Sequence, residues 1–189
     1  YPPGSTAKML TALAALDSGL IQPDTQLDAC AGTMWYGDRM FSCWFGKGHG
    51  VLNASEAIER SCNIFFYQLG RDLRIDRWAV TARKFGLGSR PGLDLPAEDA
   101  GLVASTGVYT RKFGRFGWRA GEALNVAIGQ GITLVTPLQM ARYVSGLAPG
   151  RLPTPHLAAG FRPSDGVESH PAPPPPAPID AAPPHQASI

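Results

Sequence analysis

The sequence lacks an excess of charge of either sign: 17 Lys and Arg stand against 15 Asp and Glu, a net charge of +2. Nucleic-acid-binding proteins usually carry a basic face, and no basic stripe interleaved with aromatic residues occurs here, so no nucleic-acid partner is expected. Apolar runs of about eighteen residues, the minimum for a membrane-spanning helix, are also absent. With 189 residues, 44% of them hydrophobic, the chain is long enough for one domain with its own core.

Cysteine is scarce, and the three residues present form an odd number. A disulfide framework in a secreted protein normally uses an even number of cysteines. The count therefore favours a metal site or a free thiol over a disulfide scaffold.

Hydrophobic periodicity predicts helices separated by aperiodic, glycine-rich segments. From Ser5 to about Gly19, apolar residues recur at spacings of three and four, as they do on one side of a helix. A second helix is predicted from about Ala54, with Asn53 or Ser55 as its N-cap. The remaining predictions are a long structured loop over 22–50, a helix over 75–85, an ordered loop over 104–121 and a last helix with Thr136 as N-cap and Pro137 at its first position.

Proline marks a change of character near residue 162, since half of the eighteen prolines lie beyond it. Such a composition cannot bury a core and is typical of disordered or extended chain. We therefore predict a domain over 1–161 and a disordered tail over 162–189.

The first candidate for chemistry is Ser5 with Lys8, three residues apart at the start of the first helix. Residues at this spacing share one face of a helix, so a neutral Lys8 is expected within reach of the Ser5 hydroxyl as its base. The free N–H groups of the helix start can stabilise an oxyanion. The alternative is an ordinary N-cap followed by a solvated lysine, a common occurrence of Ser-x-x-Lys.

A second candidate, Ser61-Cys62-Asn63, has the form Ser-x-Asn. In serine acyl-transfer enzymes with a Ser-x-x-Lys nucleophile, a motif of this form faces the nucleophile from another loop. Its Ser can relay a proton to the leaving group and its Asn can bind a substrate amide. The alternative is a polar interruption between two helices.

Four blocks in order give the chain a resemblance to a known family: "YPPGSTAK", "GHGVLNASEAIERSCNIFFYQLG", "KFGLG" with "GLDLP", and "VAIGQGITLVTPLQMA". In order and spacing, from Tyr1 to about Phe161, they resemble class B penicillin-binding proteins, above all those of cell elongation. The last block contains Gly129-Gln130-Gly131, whose glycines indicate a turn that supports the site and needs backbone conformations closed to other residues.

The resemblance implies the penicillin-binding protein transpeptidase or serine β-lactamase-like α/β fold, here as a truncated, mostly helical part with few strands. It implies a D,D-transpeptidase that cross-links peptidoglycan stem peptides and is acylated by β-lactams. Ser5 would be the nucleophile and Lys8 the base, and Ser61 and Asn63 would complete the site. It further implies a glycosyltransferase and the rod-shape machinery as partners, no organic cofactor, and a periplasmic location with an inner-membrane anchor upstream of Tyr1.

Cys30, Cys43, His49 and Cys62 form a possible zinc set, because three thiolates and one imidazole suit tetrahedral Zn²⁺. A closed structural site would tie the long loop to the Ser-x-Asn motif. Some relatives in the family resemble this arrangement, with zinc in this loop and Asp replacing some of the Cys, so Asp28 is the alternative to Cys30. A Cys30–Cys43 disulfide, a buried apolar role for Cys62 and a turn role for His49 also remain open.

The family's third motif, Lys-Ser/Thr-Gly, does not occur in this sequence. Its nearest counterparts are Lys84 and Lys112, each followed by Phe-Gly. We expect the chain to be a fragment, although a frame error or a degenerate copy would give the same sequence. The alternative functions are a serine β-lactamase or D,D-carboxypeptidase, which shares Ser-x-x-Lys, and an inactive, zinc-stabilised interaction module.

Overall fold

A computed structural model describes residues 1–157 and 175–179. The chain divides into two compact units, 1–81 with 103–134, and 82–102 with the described residues from 135 onward. A short 3-10 turn, Gly4–Thr6, precedes the first helix. The helices and strands are, in chain order, α1 (Ala7–Asp17), β1 (Thr33–Tyr36), β2 (Arg39–Ser42), α2 (Ala54–Glu59), α3 (Asn63–Lys84), α4 (Thr106–Phe113), α5 (Glu122–Ala127), α6 (Pro137–Leu147), β3 (Arg151–Leu152) and β4 (Ala177–Pro178).

The helix α1 forms where the periodicity predicts it. Its sequence is rich in Ala and Leu, the strongest helix formers, and it buries mainly small side chains together with Leu10. It ends just before Gly19, whose φ of +68° favours glycine. Small buried residues let neighbouring helices approach closely, which brings α1 against α2 and α5.

The helices α2 and α3 flank the Ser-x-Asn motif. Asn53 caps α2 through a capping box with Glu56, in which each side chain accepts the other's backbone N–H. The prediction of Asn53 as the cap is confirmed, and Ser55 lies inside the helix. Within α3, Arg74 has φ 62° and ψ 162°, so the helix predicted from residue 75 is the second half of an interrupted α3.

A hairpin occupies the segment for which the sequence predicted only a loop. Strands β1 and β2 pair antiparallel with Thr33 opposite Ser42 and Tyr36 opposite Arg39. The turn between them is Gly37-Asp38, and Gly37 has φ +61°, as two-residue hairpin turns require. The loop prediction was wrong here because "TMWYGDRMFS" lacks helical periodicity but contains a Gly-Asp turn between two short strands.

The segment 104–121 also differs from its prediction, since α4 forms within it. Ser105 caps α4 by accepting the Val108 N–H. Of this short helix only Tyr109 is buried, so the sequence shows no repeat of apolar residues that would predict a helix there.

A buried network joins three helices of the first unit. The Thr11 hydroxyl donates to the Ala127 carbonyl at 2.7 Å and accepts the Trp78 Nε1–H at 2.9 Å. Thr11 is fully buried and Trp78 nearly so. Gly70 belongs to the same contact, because a Cβ there would overlap Ala127 and the Ala123 carbonyl. The core thus fixes α1, and with it the start of the chain, against α3 and α5.

The second unit contains α6, whose predicted cap is confirmed. Thr136 and Gln139 form a capping box, and Pro137 is the first helical residue. The buried Gln139 amide also donates to the carbonyls of Ser89 and Ala100, each at 2.8 Å. One buried side chain therefore serves both the helix cap and the chain that precedes it.

The proline-rich tail lies largely outside the described residues, which omit 158–174 and 180–189. Within 175–179, Ala177–Pro178 forms β4 and pairs antiparallel with β3. Strand pairing replaces the predicted disorder at those two residues, and the prediction stays a prediction for the rest of the tail.

Candidate functional site

Ser5 lies in the 3-10 turn that leads into α1, and its side chain is exposed. Lys8 follows one turn later and is only 2% exposed. Within the described chain the Ser5 hydroxyl makes no hydrogen bond, so the contact with Lys8 expected from the spacing is not formed. The serine is accessible, and the lysine is held by other groups.

The Lys8 amine contacts both polar members of the Ser-x-Asn motif. Its Nζ lies 2.7 Å from the Ser61 carbonyl oxygen, 2.9 Å from Ser61 Oγ and 2.7 Å from Asn63 Oδ1. The Phe66 ring lies 5.8 Å away. Burial lowers the pKa of Lys8 from its ordinary value, and negative charge at Cys43 and Cys62 opposes that effect.

This geometry accommodates both protonation states of Lys8. The Ser61 carbonyl and Asn63 Oδ1 can only accept hydrogen bonds, whereas the Ser61 hydroxyl can donate or accept. A charged lysine donates to all three oxygens. A neutral lysine donates to two and accepts the Ser61 hydroxyl proton. Ser61 can therefore exchange a proton with Lys8 without rearrangement of the site.

The Ser-x-Asn motif occupies the turn between α2 and α3. Ser61 has φ 49°, an uncommon and costly conformation for a residue other than glycine, and such conformations cluster at functional sites. Asn63 begins α3 and donates from Nδ2 to the Ser42 carbonyl at 3.2 Å. The end of β2 is thereby attached to the motif.

Cys30, Cys43, His49 and Cys62 converge: their ligand atoms all lie within 4.8 Å of one another. His49 Nδ1 is 3.7 Å from Cys30 Sγ and 3.5 Å from Cys43 Sγ. All three cysteines are free and buried, so the structure does not contain a Cys30–Cys43 disulfide. The four residues come from separate parts of the chain, yet the fold gathers their ligand atoms at one point.

Asp28, the alternative ligand, lies outside this cluster. Its backbone N–H and carbonyl pair with the Gln68 side-chain amide at 3.2 and 3.0 Å. Among the described residues, the group that could hold a metal contains Cys30 and not Asp28. The two-sided backbone pairing fixes the chain just before Cys30.

The titrating groups of the cluster differ in their surroundings. Burial raises the pKa of Cys43, but the backbone N–H groups of Phe45, Asn63 and Ile64 outweigh it and lower the pKa overall. Burial raises the pKa of Cys62 to about 12. Burial, followed by the positive charges of Arg60 and Lys8, lowers the pKa of His49, which favours the neutral imidazole.

Gly129 supports the start of the chain directly. The Gly4 N–H donates to the Gly129 carbonyl at 2.9 Å. Gly129 has φ +73°, and a Cβ there would overlap the Gly4 carbonyl oxygen. The predicted role of the Gly-Gln-Gly turn as a support is confirmed, and the supported residue is the one immediately before Ser5. Gly131 has φ +89° and lies against the Tyr109 hydroxyl.

Aromatic residues beside the motif were missed by the sequence reasoning. Trp44 and Phe45 are exposed, and with His49 they form a cluster with ring centroids 5.2 to 5.8 Å apart. They line a groove of about 440 Å³ that reaches Ser61. The available signal in the sequence was the pair of adjacent aromatic residues, Trp44 and Phe45, followed by Gly46 and Gly48. A larger groove of about 680 Å³, between Tyr36–Phe41 and 117–122, contains none of the candidate residues.

Comparison with known proteins decides the family. A family model, the penicillin-binding protein transpeptidase domain, matches residues 1–182. The chain belongs to this family. The transpeptidase-domain match extends past residue 161, where the sequence analysis placed the domain end, and that boundary stays a prediction.

Two solved structures of this transpeptidase family are similar to the chain. A Helicobacter pylori penicillin-binding protein PBP2, in complex with MreC, is 34% identical, with a TM-score of 0.82 over 95% of this chain and 31% of that one. A Pseudomonas aeruginosa PBP2 in complex with WCK 5153 is 35% identical, with a TM-score of 0.79 over 94% and 40%. The predicted fold, a mostly helical part of the transpeptidase domain with few strands, is confirmed.

Among curated relatives, the peptidoglycan D,D-transpeptidase MrdA of Salmonella typhimurium is 36% identical over 159 residues. The match covers 83% of this chain and 25% of that protein, so the chain spans about a quarter of the length of such relatives. In the part of the chain that the structure describes, no helix is long and apolar enough to cross a membrane.

Proposed function

We propose that this chain carries the nucleophile and one wall of the active site of a peptidoglycan D,D-transpeptidase that acts in cell-wall elongation. The observation that carries the proposal is the buried Lys8 amine, within 2.9 Å of both Ser61 Oγ and Asn63 Oδ1 and one helical turn after Ser5. The family match and the MrdA relatives support the same reaction.

In the acylation step, Ser5 Oγ bonds to the carbonyl carbon of the penultimate D-Ala of a stem peptide. The hydroxyl proton passes to the neutral Lys8 amine, in a contact that the exposed Ser5 side chain makes when substrate binds, because catalytic hydrogen bonds often tighten only in the substrate complex. The bond between that carbonyl and the terminal D-Ala nitrogen then breaks. The leaving amine takes the proton of Ser61 Oγ, and Lys8 Nζ donates a proton back to Ser61 Oγ. In the second step a neutral acceptor amine attacks the ester carbonyl and gives up one proton to Ser61 Oγ, which passes its own proton to Lys8. Ser5 Oγ then leaves and takes a proton from Lys8.

The positions of Ser5 and Asn63 suit the remaining tasks. Ser5 lies at the start of a helix, where backbone N–H groups lack intrahelical acceptors and can stabilise an oxyanion. Asn63 is fixed by Lys8 on one side and by the Ser42 carbonyl on the other. Its held amide can bind the substrate peptide in one orientation.

The absence of Lys-Ser/Thr-Gly from this sequence limits the expected rate. In the family that motif supplies substrate-carboxylate binding and a second oxyanion donor, and losing one such donor costs about 10²–10³ in rate. A serine β-lactamase or D,D-carboxypeptidase is disfavoured by the MrdA relatives.

A fluorescent penicillin tests the proposal. We expect slow labelling of the purified chain, at least about 100-fold slower than a complete family member, and complete loss of labelling in Ser5→Ala. Peptide mapping should locate the adduct on Ser5. An adduct on another residue, or labelling that persists in Ser5→Ala, would contradict the assignment of the nucleophile. Labelling as fast as that of a complete family member would show that the third motif is dispensable.

The expected partners and location are part of the same proposal. One similar structure is a complex of PBP2 with MreC, which supports a partner from the rod-shape machinery. A glycosyltransferase, peptidoglycan stem peptides and β-lactams follow from the family resemblance. The cell envelope, on the periplasmic side of the inner membrane, is the location that this substrate requires.

We also propose that Cys30, Cys43, His49 and Cys62 hold a structural Zn²⁺. With Zn–S of about 2.3 Å and Zn–N of about 2.0 Å, a tetrahedral site sets sulfur and nitrogen ligands about 3.5 Å apart. His49 Nδ1 lies 3.7 and 3.5 Å from the Cys30 and Cys43 sulfurs, so the residues present fit this ion. When bound, zinc would cross-link the loop to α3 as a closed site without catalytic chemistry.

Metal analysis tests the zinc proposal. We expect about one zinc per purified chain, with a sharp fall in Cys43→Ser. A preparation free of metal that unfolds at the same temperature with and without added zinc would contradict the proposal.

A further inference from the structure

Tyr109 has a buried hydroxyl that the proposed acylation chemistry does not use. The side chain belongs to α4 and is only 1% exposed. Its hydroxyl donates to Glu122 Oε2 at 3.1 Å, and the Ile132 backbone N–H donates a hydrogen bond to the hydroxyl oxygen. The Trp118 ring stacks on the phenol with a centroid distance of 5.3 Å. The Tyr109 side chain is therefore fixed by hydrogen bonds and by packing.

Glu122 connects this hydroxyl to Asn125. Its Oε2 also accepts a hydrogen bond from Asn125 Nδ2 at 3.3 Å. The Asn125 backbone carbonyl in turn accepts the Gln130 N–H at 2.9 Å, which closes the turn that contains Gly129. Burial raises the pKa of Tyr109, and the negative charge of Glu122 adds to that effect. The phenol therefore stays neutral and remains a hydrogen-bond donor.

The Gly129–Gly131 turn is thus held at both ends. Asn125 fixes its first half, and Tyr109 fixes its far end through the Ile132 N–H. Gly131 has φ +89°, and a Cβ there would come within 2.9 Å of the Tyr109 hydroxyl. The hydroxyl therefore lies directly against the backbone of the turn, at a position that only glycine suits.

The same turn contacts the chain immediately before Ser5. The Gly129 carbonyl accepts the Gly4 N–H at 2.9 Å, and the two backbones lie so close that a Cβ on Gly129 would overlap the Gly4 carbonyl. A shift of the turn would therefore move Gly4 and, with it, the backbone of Ser5. A displacement of about 1 Å at a reacting group can cost about 100-fold in rate.

We propose that Tyr109 and Glu122 are positioning residues for Ser5. Their hydrogen bond holds the Gly129–Gly131 turn, and the turn holds Gly4. In the described chain the Tyr109 and Glu122 side chains bond to each other and to the turn and its flanks, not to Ser5, so they act through the backbone and take no part in proton transfer. The inference rests on the proposed function, because that function makes Ser5 the nucleophile.

NMR of the backbone amides tests the inference. Tyr109→Phe removes the hydroxyl and keeps the ring, so ring-current effects on neighbouring signals are preserved. We expect the Gly4 amide proton to move upfield, because its hydrogen bond to Gly129 lengthens, whereas lower stability alone does not move a signal of the folded state. The control is Tyr143→Phe, which should leave the Gly4 signal in place. The Tyr143 hydroxyl is also buried, but it has no hydrogen-bond partner within the described residues.

Glu122 variants separate the hydrogen bond from the volume of the side chain. Glu122→Gln keeps an acceptor oxygen for the Tyr109 hydroxyl, so the Gly4 signal should stay at its wild-type position. Glu122→Leu removes the acceptor and should move the signal as Tyr109→Phe does. A Gly4 signal that is unmoved in Tyr109→Phe, or that moves equally in the two Glu122 variants, would overturn the inference.

Penicillin labelling connects the signal to the reaction. In Tyr109→Phe we expect the labelling rate at saturating penicillin to fall about tenfold. The penicillin concentration that gives half of that rate should not change, because the buried hydroxyl is out of reach of the ligand. Tyr143→Phe should react like the wild type. An equal rate in Tyr109→Phe despite a moved Gly4 signal would overturn the role for Ser5. A wild type that is never labelled at Ser5 would refute the proposed function alone, since the Gly4 signal still reports whether the hydroxyl holds the turn.

Discussion

Two side-chain clusters meet at residues 61–63 and differ in what completes them. Ser61 and Asn63 belong to the Lys8 cluster, in which each polar atom around Nζ has a partner within the protein. Cys62 belongs to the thiol cluster, in which three sulfurs and an imidazole nitrogen face one another within 4.8 Å. The first is complete through hydrogen bonds, whereas the second has the donor set of a cation site. Consecutive residues can therefore serve two sites of different chemistry.

The largest expected effect comes from breaking the thiol cluster. His49→Ala removes one of four proposed ligands, and because metal binding in such sites is coupled to folding, we expect Tm to fall by more than about 10 °C. Circular dichroism melting and zinc content measure it. The matched control is His156→Ala, at an exposed position outside the cluster, which should change neither quantity. An unchanged Tm in His49→Ala would show that the thiol cluster, like the Lys8 cluster, is stable without a bound metal ion.

The second prediction separates the clusters. Lys8→Met keeps the length of the side chain and removes the amine, so we expect labelling of Ser5 by penicillin to fall at least about 100-fold while zinc content stays the same. The exposed Lys47 provides the control Lys47→Met. Loss of zinc in Lys8→Met would indicate that the two clusters form one interdependent unit.

The third prediction concerns the support beneath Ser5. Gly129→Ala combines a positive φ with overlap on the Gly4 carbonyl, and we expect it to lower the free energy of unfolding by about 2–4 kcal/mol. Gly19→Ala is the control, since Gly19 also has a positive φ but has open space around it, and it should cost only the left-handed backbone penalty of about 1–2 kcal/mol. Urea denaturation measures both. If the two variants lose the same free energy of unfolding, the overlap with the Gly4 carbonyl does not destabilise the protein.

The smallest effect is expected in the buried network. Thr11→Val keeps the shape and removes the hydroxyl, which leaves the Trp78 N–H and the Ala127 carbonyl unpaired. The free energy of unfolding should fall by about 1–3 kcal/mol, with zinc content unchanged. The control is Thr33→Val at an exposed strand position, for which denaturation curves should overlap the wild type. A Thr11→Val curve that also overlaps would mean that water or another group replaces the hydroxyl.

Local signals accounted for the parts of the fold that sequence could predict. Asn53 and Thr136 were identifiable as caps because capping depends on a few consecutive residues. The family could be predicted because four sequence blocks occur in the chain in the order and spacing typical of that family. The hairpin β1–β2 was missed although its Gly-Asp turn is a local signal, and α4 was missed because one buried residue gives no period.

The sequence by itself determined the identities that the chemistry needs: a serine before a lysine, a Ser-x-Asn motif and three cysteines with a histidine. Only the tertiary structure decided which groups meet. Lys8 contacts Ser61 and Asn63, 53 and 55 residues away, rather than the neighbouring Ser5. The physical reason is that a buried amine must satisfy its hydrogen bonds, and the acceptors that the fold brings to it come from Ser61, in the turn before α3, and from Asn63, the first residue of α3. Packing of α1 against distant helices, which no local pattern encodes, creates that meeting.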